Sequence, residues 1–279
     1  MKKKKLIFMT MILFAFSIVF VGCGSSEDTN TTEDNSTDKG EKKTPVDEAI
    51  NIDDATVKEL YKYVSYGNDT MNRDYYFYKH DKITRDSLTG YEIHFYAYQL
   101  LSMKDVKVLS KGEFGIPEFS IGADVYDTAI KKLFGDVKYS RDEEYSWISH
   151  FAIEGSSGIN FKFDKAKNAY IGTAGGVGGI DSVLLPFYGR LESATKNTGD
   201  NSITFTERVI FTNEAWDSTE GKLYSDETKK NLISDIKVGY DTVTVKDLDK
   251  YFEKGGSITY KFVLSQNNEY HFHSSQINK

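Results

Sequence analysis

The chain has 279 residues, enough for one large domain or two small ones. Hydrophobic residues make up 39% of it and aromatic residues 14%, which excludes a wholly disordered protein, and the single cysteine excludes a disulfide scaffold and a cysteine-based metal cluster. With a formal net charge of −7, the chain lacks the basic surface typical of nucleic-acid-binding proteins, so no nucleic-acid partner is expected.

The N-terminal segment has the layout of a secretory signal peptide. Four lysines at positions 2–5 form a basic region, and an apolar run covers residues 6–20. As a helix this run would span roughly 22 Å, which is short of the ~30 Å hydrocarbon core of a bilayer. Residues 1–22 are therefore predicted to be a signal peptide rather than a membrane-spanning helix.

The four residues Phe20, Val21, Gly22 and Cys23 resemble the lipobox of bacterial lipoproteins, with Phe20 in place of the usual leucine. The resemblance implies cleavage between Gly22 and Cys23 and a thioether from the Cys23 sulfur to a diacylglycerol. Two acyl chains anchor a protein stably, at ~0.8 kcal/mol for each buried CH₂. The implied location is the extracytoplasmic face of the cell membrane. The alternatives are an uncleaved short membrane helix and an unmodified cysteine.

Residues 23–49 are predicted to hold the lipid anchor and a disordered acidic tether. The stretch 24–48 contains eight acidic residues, three basic residues and no aromatic residue. Such a segment has too little apolar surface to offset the entropy lost on ordering. The folded part is expected to begin at residue 50.

Three helices are predicted in the first half of the folded part, because apolar residues recur there with helical spacing. The first begins at Asp53 or Asp54 and stops at Gly67. The second covers residues 91–103, with a strand over its first six residues as the alternative. The third covers residues 123–134.

Apolar residues then alternate with polar ones, which is typical of half-buried strands. Short helices are also predicted at 225–234 and 246–253. The predicted strands are 145–153, 159–163, 169–172, 183–191, 202–211, 243–245, 257–264 and 269–274.

Helices followed by mostly antiparallel sheet indicate the α+β class. The folded part is predicted to be one large domain or two small ones. In the second case a helix-rich half, residues 50–171, is followed by a sheet-rich half, residues 180–279, which ends in a β-hairpin.

Loose motifs in the folded part resemble uncharacterised surface lipoproteins of low-GC Gram-positive bacteria. They are Asp124, the run Phe134-Gly135-Asp136, the glycine-rich residues 172–179 and the closing Tyr260-Lys261-Phe262. The pattern also resembles the helix on a curved sheet of nuclear-transport-factor-like and cystatin-like modules. This resemblance implies a fold and an envelope location, and it assigns no activity.

Two stretches invite a ligand interpretation and have a structural alternative. Residues 172–179 suggest a phosphate loop but lack its Lys-Ser/Thr and a following helix, so a bulged turn is favoured. His271 and His273 share a strand face and could bind a metal. Because Tyr270 and Phe272 resemble core residues, the histidine face is expected to be solvated, and no metal site is assigned.

The remaining candidates are acidic and aromatic. The run Asp142-Glu143-Glu144 could supply a carboxylate pair, although a charge run is usually a solvated face. Exposed aromatic residues in the run 75–78, or Trp147 and Trp216, could stack on sugars or anchor a protein. The other histidines, His80, His94 and His150, have no metal-ligand spacing.

The sequence therefore predicts a surface lipoprotein with a non-catalytic module that binds a protein or glycan of the envelope. No catalytic, metal or cofactor residue is assigned, no cofactor is expected, and Cys23 is the lipidation site. The alternative is an envelope glycan hydrolase with paired carboxylates, which would lie ~5–9.5 Å apart in a concave pocket.

Overall fold

The computed structural model describes residues 46–64, 81–111, 115–175, 187–213, 220–238 and 243–278. The predicted signal peptide with Cys23, Gly67, the aromatic run 75–78, His80 and Trp216 all lie outside these ranges. Of the predicted boundary between two halves, residues 172–179, only residues 172–175 are described. Among the described helices, none has the length and apolar character needed to cross a bilayer.

Two of the α-helices begin where the sequence supplies a capping side chain, whereas the third follows Gly122 and has no side-chain cap. Asp54 Oδ1 accepts from the backbone N–H groups of Thr56, at 2.8 Å, and Val57, at 3.3 Å. Thr89 and Glu92 form a reciprocal capping box at the next helix, with Thr89 N–H donating to Glu92 Oε2 at 2.7 Å. The α-helices are α1 (Ala55–Val64), α2 (Gly90–Tyr98) and α3 (Ala123–Phe134).

The outcome differs between the predicted helices. The third, over residues 123–134, is confirmed to the residue, and it ends at Gly135, whose φ of +68° favours glycine. The second is helical as predicted, so the strand alternative is wrong. It ends early, at Tyr98, because the chain turns at residues 99–101 and enters a 3₁₀-helix at Met103–Asp105.

The strands form two sheets in which every described pair is antiparallel. The strands are β1 (Asp47–Ile50), β2 (Lys82–Thr84), β3 (Lys107–Lys111), β4 (Pro117–Gly122), β5 (Glu144–Ile153), β6 (Ser156–Asp164), β7 (Ala169–Ala174), β8 (Phe187–Asn197), β9 (Ser202–Thr212), β10 (Glu220–Tyr224), β11 (Leu232–Lys237), β12 (Gly256–Leu264) and β13 (Tyr270–Asn278). The larger sheet has the order β1-β8-β9-β12-β13-β2, with β10 paired to the end of β9 and β11 paired to β10. The smaller sheet has the order β3-β4-β7-β6-β5.

Three predictions are wrong. Residues 47–49, predicted to belong to the disordered tether, form β1 together with Ile50, because β8 pairs with them at the edge of the larger sheet. The predicted helix at 225–234 is a turn followed by β11, because the Asp226 side chain accepts hydrogen bonds within the turn. Residues 243–245, predicted to be a strand, are not one and instead lead into a 3₁₀-helix, Lys246–Lys254. Asp247 Oδ2 accepts a hydrogen bond from Thr244 N–H there, at 2.8 Å. That 3₁₀-helix lies where a short helix is predicted.

One hydrophobic cluster joins the helices to both sheets. Helix α1 places Tyr61 edge-on to Phe205 of β9, with the ring centroids 5.8 Å apart. Helix α3 contacts both sheets, through Phe134 on Phe272 of β13 and through Tyr126 near Phe161 of β6. The molecule is therefore an α+β fold with sheet-rich, mostly antiparallel character.

Candidate functional site

Helices α1 and α3 border an open groove of about 1040 Å³ whose floor is formed by the segment after α2. The α1 residues that line it, from Ala55 to Tyr63, recur at helical spacing and so lie on one face. The floor includes Leu100 and Leu101, and α3 adds Val125. The groove thus combines an apolar floor with polar helix rims.

Four lysines line this groove: Lys58, Lys62, Lys104 and Lys132. Lys58 Nζ lies 2.6 Å from Asp53 Oδ1, outside the groove lining, and Lys132 Nζ lies 3.1 Å from Glu59 Oε1. Within the described ranges Lys62 and Lys104 form no ion pair. Two cations are therefore left for a ligand.

Glu59, Tyr63 and Lys132, which all line the groove, contact one another. Tyr63 Oη–H donates to Glu59 Oε1 at 2.9 Å, and the Lys132 ammonium lies 5.2 Å from the centre of the Tyr63 ring. The hydrogen bond from Tyr63 and the contact with Lys132 lower the pKa of Glu59. This carboxylate stays ionised and is already held by its neighbours.

Gln99, at the C-terminal end of α2, also lines the groove. It is only 8% exposed, and its Nε2 is buried with no hydrogen-bond partner in the described structure. A buried donor without an acceptor costs ~1–3 kcal/mol of folding free energy. A ligand acceptor at the groove would remove that cost.

A second, more enclosed cavity of about 620 Å³ lies between β9, β12 and the turn that joins β10 to β11. Asp81, Asp226 and Glu227 line it, together with Arg208 and Lys254. Its enclosed shape and its acidic residues make it a candidate for the paired-carboxylate alternative.

The chemistry of Asp226 does not suit a general acid. Partial burial alone would raise its pKa, but hydrogen bonds from Thr228 and Asn231 outweigh this and lower it. Thr228 N–H donates to Oδ1 at 3.0 Å and Asn231 N–H donates to Oδ2 at 3.2 Å. Both carboxylate oxygens hold the turn.

The expectation that His271 and His273 share a solvated face is wrong. The register of β12 and β13 shifts so that Lys261 pairs with Ser274 and Phe262 with Phe272, which leaves His273 as an extra residue. His271 is buried at the end of α3, where its Nδ1 lies 3.2 Å from the Lys132 carbonyl oxygen, while His273 is exposed. No group of three metal-ligating side chains occurs in the described ranges.

Several other predicted site residues are structural or remain solvated. Trp147 is buried against Phe95 and Phe161, so it forms no exposed platform. Asp142, Glu143 and Glu144 are exposed, as expected of a solvated face.

The described start of the glycine-rich segment belongs to a strand rather than to a turn. Residues 172–174 continue β7, which ends at Ala174. The phosphate-loop interpretation, and the bulged turn favoured over it, therefore do not apply to these residues. Residues 176–179 lie outside the described ranges.

His94 is fully buried and fully hydrogen-bonded. Because the Gly90 carbonyl oxygen 2.8 Å from Nδ1 can only accept, Nδ1 carries the proton, and Nε2 accepts from Tyr170 Oη–H at 2.9 Å. The ring stacks on Tyr145 with the centroids 4.3 Å apart. Burial lowers the pKa of His94 to about 4, so the ring is neutral at pH 7. Since both ring nitrogens are occupied, His94 stabilises the core.

A buried carboxylate links α1 to the larger sheet. Glu207 of β9 is fully buried and accepts hydrogen bonds from Tyr61 Oη, at 2.6 Å, and from Tyr260 Oη, at 3.0 Å. The sequence indicates that Glu207 is buried, because residues 203, 205, 209 and 211 on the same strand face are apolar. Gly189 of β8 faces it without a side chain.

Gly189→Ala is expected to destabilise the fold by about 1–3 kcal/mol. A Cβ at residue 189 would lie 1.9 Å from Glu207 Oε1 and 2.6 Å from its Cδ, so the carboxylate would have to move away from its tyrosine partners. Urea unfolding measures the loss. In a Glu207→Ala background the same glycine substitution should cost much less, and an equal cost in both backgrounds would contradict the contact.

The groove is thus the described surface that combines cations without ion pairs, an apolar floor and a buried donor without a partner. Comparison with protein-family models, with curated proteins and with solved structures found no match for this chain.

Proposed function

We propose that this chain is a lipoprotein anchored through Cys23 to the extracytoplasmic face of the cell membrane, and that its folded part is a non-catalytic binding module. The groove between α1 and α3 is its binding surface. The observation that carries the proposal is Gln99, a buried donor without a partner that lines an open groove. Its folding cost is offset when a ligand supplies the acceptor.

The anchor is supported by the position of the cysteine. Cys23 is the only cysteine of the chain, and it stands directly after the apolar run and before a polar segment. The acidic residues of that segment are repelled by an anionic membrane surface, which would hold a binding module away from the membrane. A tethered binding module needs both an anchor and a spacer that keeps it away from the membrane.

Cys23→Ala is expected to release the protein from the membrane fraction. Without the thiol no diacylglycerol can be attached, and the two-chain anchor is lost. Fractionation of cells followed by immunoblotting measures the distribution, and the mass of the mature N-terminus reports the lipid. A Cys23→Ala protein that is processed and membrane-bound like the wild type would refute the anchor.

The hydrolase alternative is best represented by the cavity around Asp226. The lowered pKa of Asp226 and the use of its oxygens in a turn argue against proton donation. Incubation of the full-length protein with cell-wall glycan, with assay of new reducing ends, is expected to show no turnover. Turnover that Asp226→Asn or Glu227→Gln abolishes would overturn the binding-module proposal.

A further inference from the structure

We propose that the groove between α1 and α3 binds an acidic peptide segment of a partner protein. This inference names the ligand class of the same groove and so rests on the proposed function. It is argued from the floor, the buried amide and the charges on the rims.

The floor of the groove suits short apolar side chains. Leu100 and Leu101 line it in the segment after α2, and Val125 and Ala129 line it from α3. The lining face of α1 runs from Ala55 to Tyr63, about 12 Å at 1.5 Å per residue, which matches roughly four residues of extended peptide. The groove can therefore hold a short linear segment.

Gln99 suits a peptide backbone. Its Nε2 is a donor without a partner, and each residue of an extended peptide carries a carbonyl acceptor. Once the Gln99 side chain turns its buried Nε2 toward the groove, a peptide carbonyl can satisfy the amide, whichever side chains the peptide carries. This separates backbone recognition, at Gln99, from charge recognition, at the rims.

The charges available to a ligand are positive. Of the three carboxylates that line the groove, Glu59 is held by Tyr63 and Lys132, and Asp105 accepts from Ser102 N–H and Oγ–H at 2.9 and 2.8 Å. Asp124 remains at the first turn of α3. Lys62 and Lys104 face the groove without an ion pair in the described structure, so the ligand is expected to carry carboxylates.

A glycan fits the same surface less well. Sugar sites usually offer an exposed aromatic face, and the aromatic residue in this groove is Tyr63. Tyr63 is buried, and its ring lies under the Lys132 ammonium. A stacking platform is therefore missing from the described lining, and a peptide is favoured.

The first test measures charge recognition on the full-length protein. The probes are fluorescein-labelled decapeptides in which leucine alternates with glutamate or with lysine, followed by fluorescence anisotropy. We expect the glutamate peptide alone to bind, and Lys62→Glu with Lys104→Glu to weaken it about tenfold. Lys222→Glu with Lys237→Glu, at exposed lysines on β10 and β11, is the control with the same change in net charge and should leave the affinity unchanged. Equal binding of both peptides, no binding of either, or equal effects of groove and control substitutions would overturn the inference.

The second test separates binding from folding. Gln99→Leu should raise Tm by a few degrees, because it removes a buried donor without a partner, and should weaken the glutamate peptide several-fold. A purely structural glutamine would instead give a lower Tm and an unchanged affinity, which would overturn its role. Failure of either test leaves the membrane release of Cys23→Ala intact, so the ligand class and the envelope location are judged separately.

Discussion

Gly172→Ala is expected to destabilise the protein by about 3 kcal/mol or more, or to prevent folding. A Cβ at this position of β7 would lie 2.4 Å from the Asn160 carbonyl oxygen and 2.5 Å from the Phe161 Cβ. Both belong to the neighbouring strand β6, and the Phe119 ring of β4 closes the other side at 2.8 Å. Because the nearest atom is backbone, relief requires β6 and β7 to separate.

Gly175→Ala is the matched control for that prediction. Gly175 follows β7 directly, and a Cβ there meets no atom within 4 Å. It should change stability by less than about 1 kcal/mol. Thermal or urea unfolding of the two variants measures the difference, and equal destabilisation by both would show that close approach of β6 and β7 is not the cause.

Regular amphipathic elements could be predicted from the sequence. Helix α3 shows one apolar face and ends at Gly135, so its extent follows from the helical period and its C-terminal end from the glycine. Strands β9 and β12 alternate over most of their length and were predicted within a residue of either end. In these elements local pattern and tertiary burial agree.

Elements stabilised by distant partners could not be predicted. Strand β2, Lys82–Thr84, is too short to show a clear alternation of apolar and polar residues. It forms because it can pair with the open edge of β13. The extra residue at His273 is set by the pairing of β12 with β13, so its effect on His271 is invisible to simple alternation. Tertiary context decides both.

Some residues of the candidate site could be predicted from the sequence, and others could not. Lys58 and Lys62 stand four residues apart and so predict a basic stripe on α1. Gln99 carries no local signal, since its buried amide depends on how the chain turns after α2. Spacing thus predicts the place of Lys62, whereas Lys104 and the buried donor of Gln99 come to the groove only through packing.

The stability of the fold is expected to fall by about 3 kcal/mol as the pH decreases from 7 to 4, through His94. Burial lowers the pKa of its imidazole to about 4, outweighing the hydrogen bond to Gly90, which raises it; the Arg141 charge lowers it and Asp127 raises it. The unfolded histidine titrates near pH 6.5 and so binds more protons between pH 6.5 and 4. The stability that depends on the neutral His94 ring is complete above pH 6.5 and is lost as the pH falls to 4, at ~1.4 kcal/mol for each unit by which the pKa is lowered.

Urea unfolding at pH 7 and at pH 4.5 tests this dependence, with NMR titration of the His94 ring as the direct measurement. His94→Gln should be less stable at pH 7 and should lose most of the decrease between the two pH values. His150, whose pKa burial also lowers, would account for part of the decrease that remains. His273→Gln, at an exposed position, should keep the full dependence. A His94 ring that titrates near pH 6.5 would show that the core around Tyr145 and Tyr170 admits a charge, and the buried neutral imidazole would have to be abandoned.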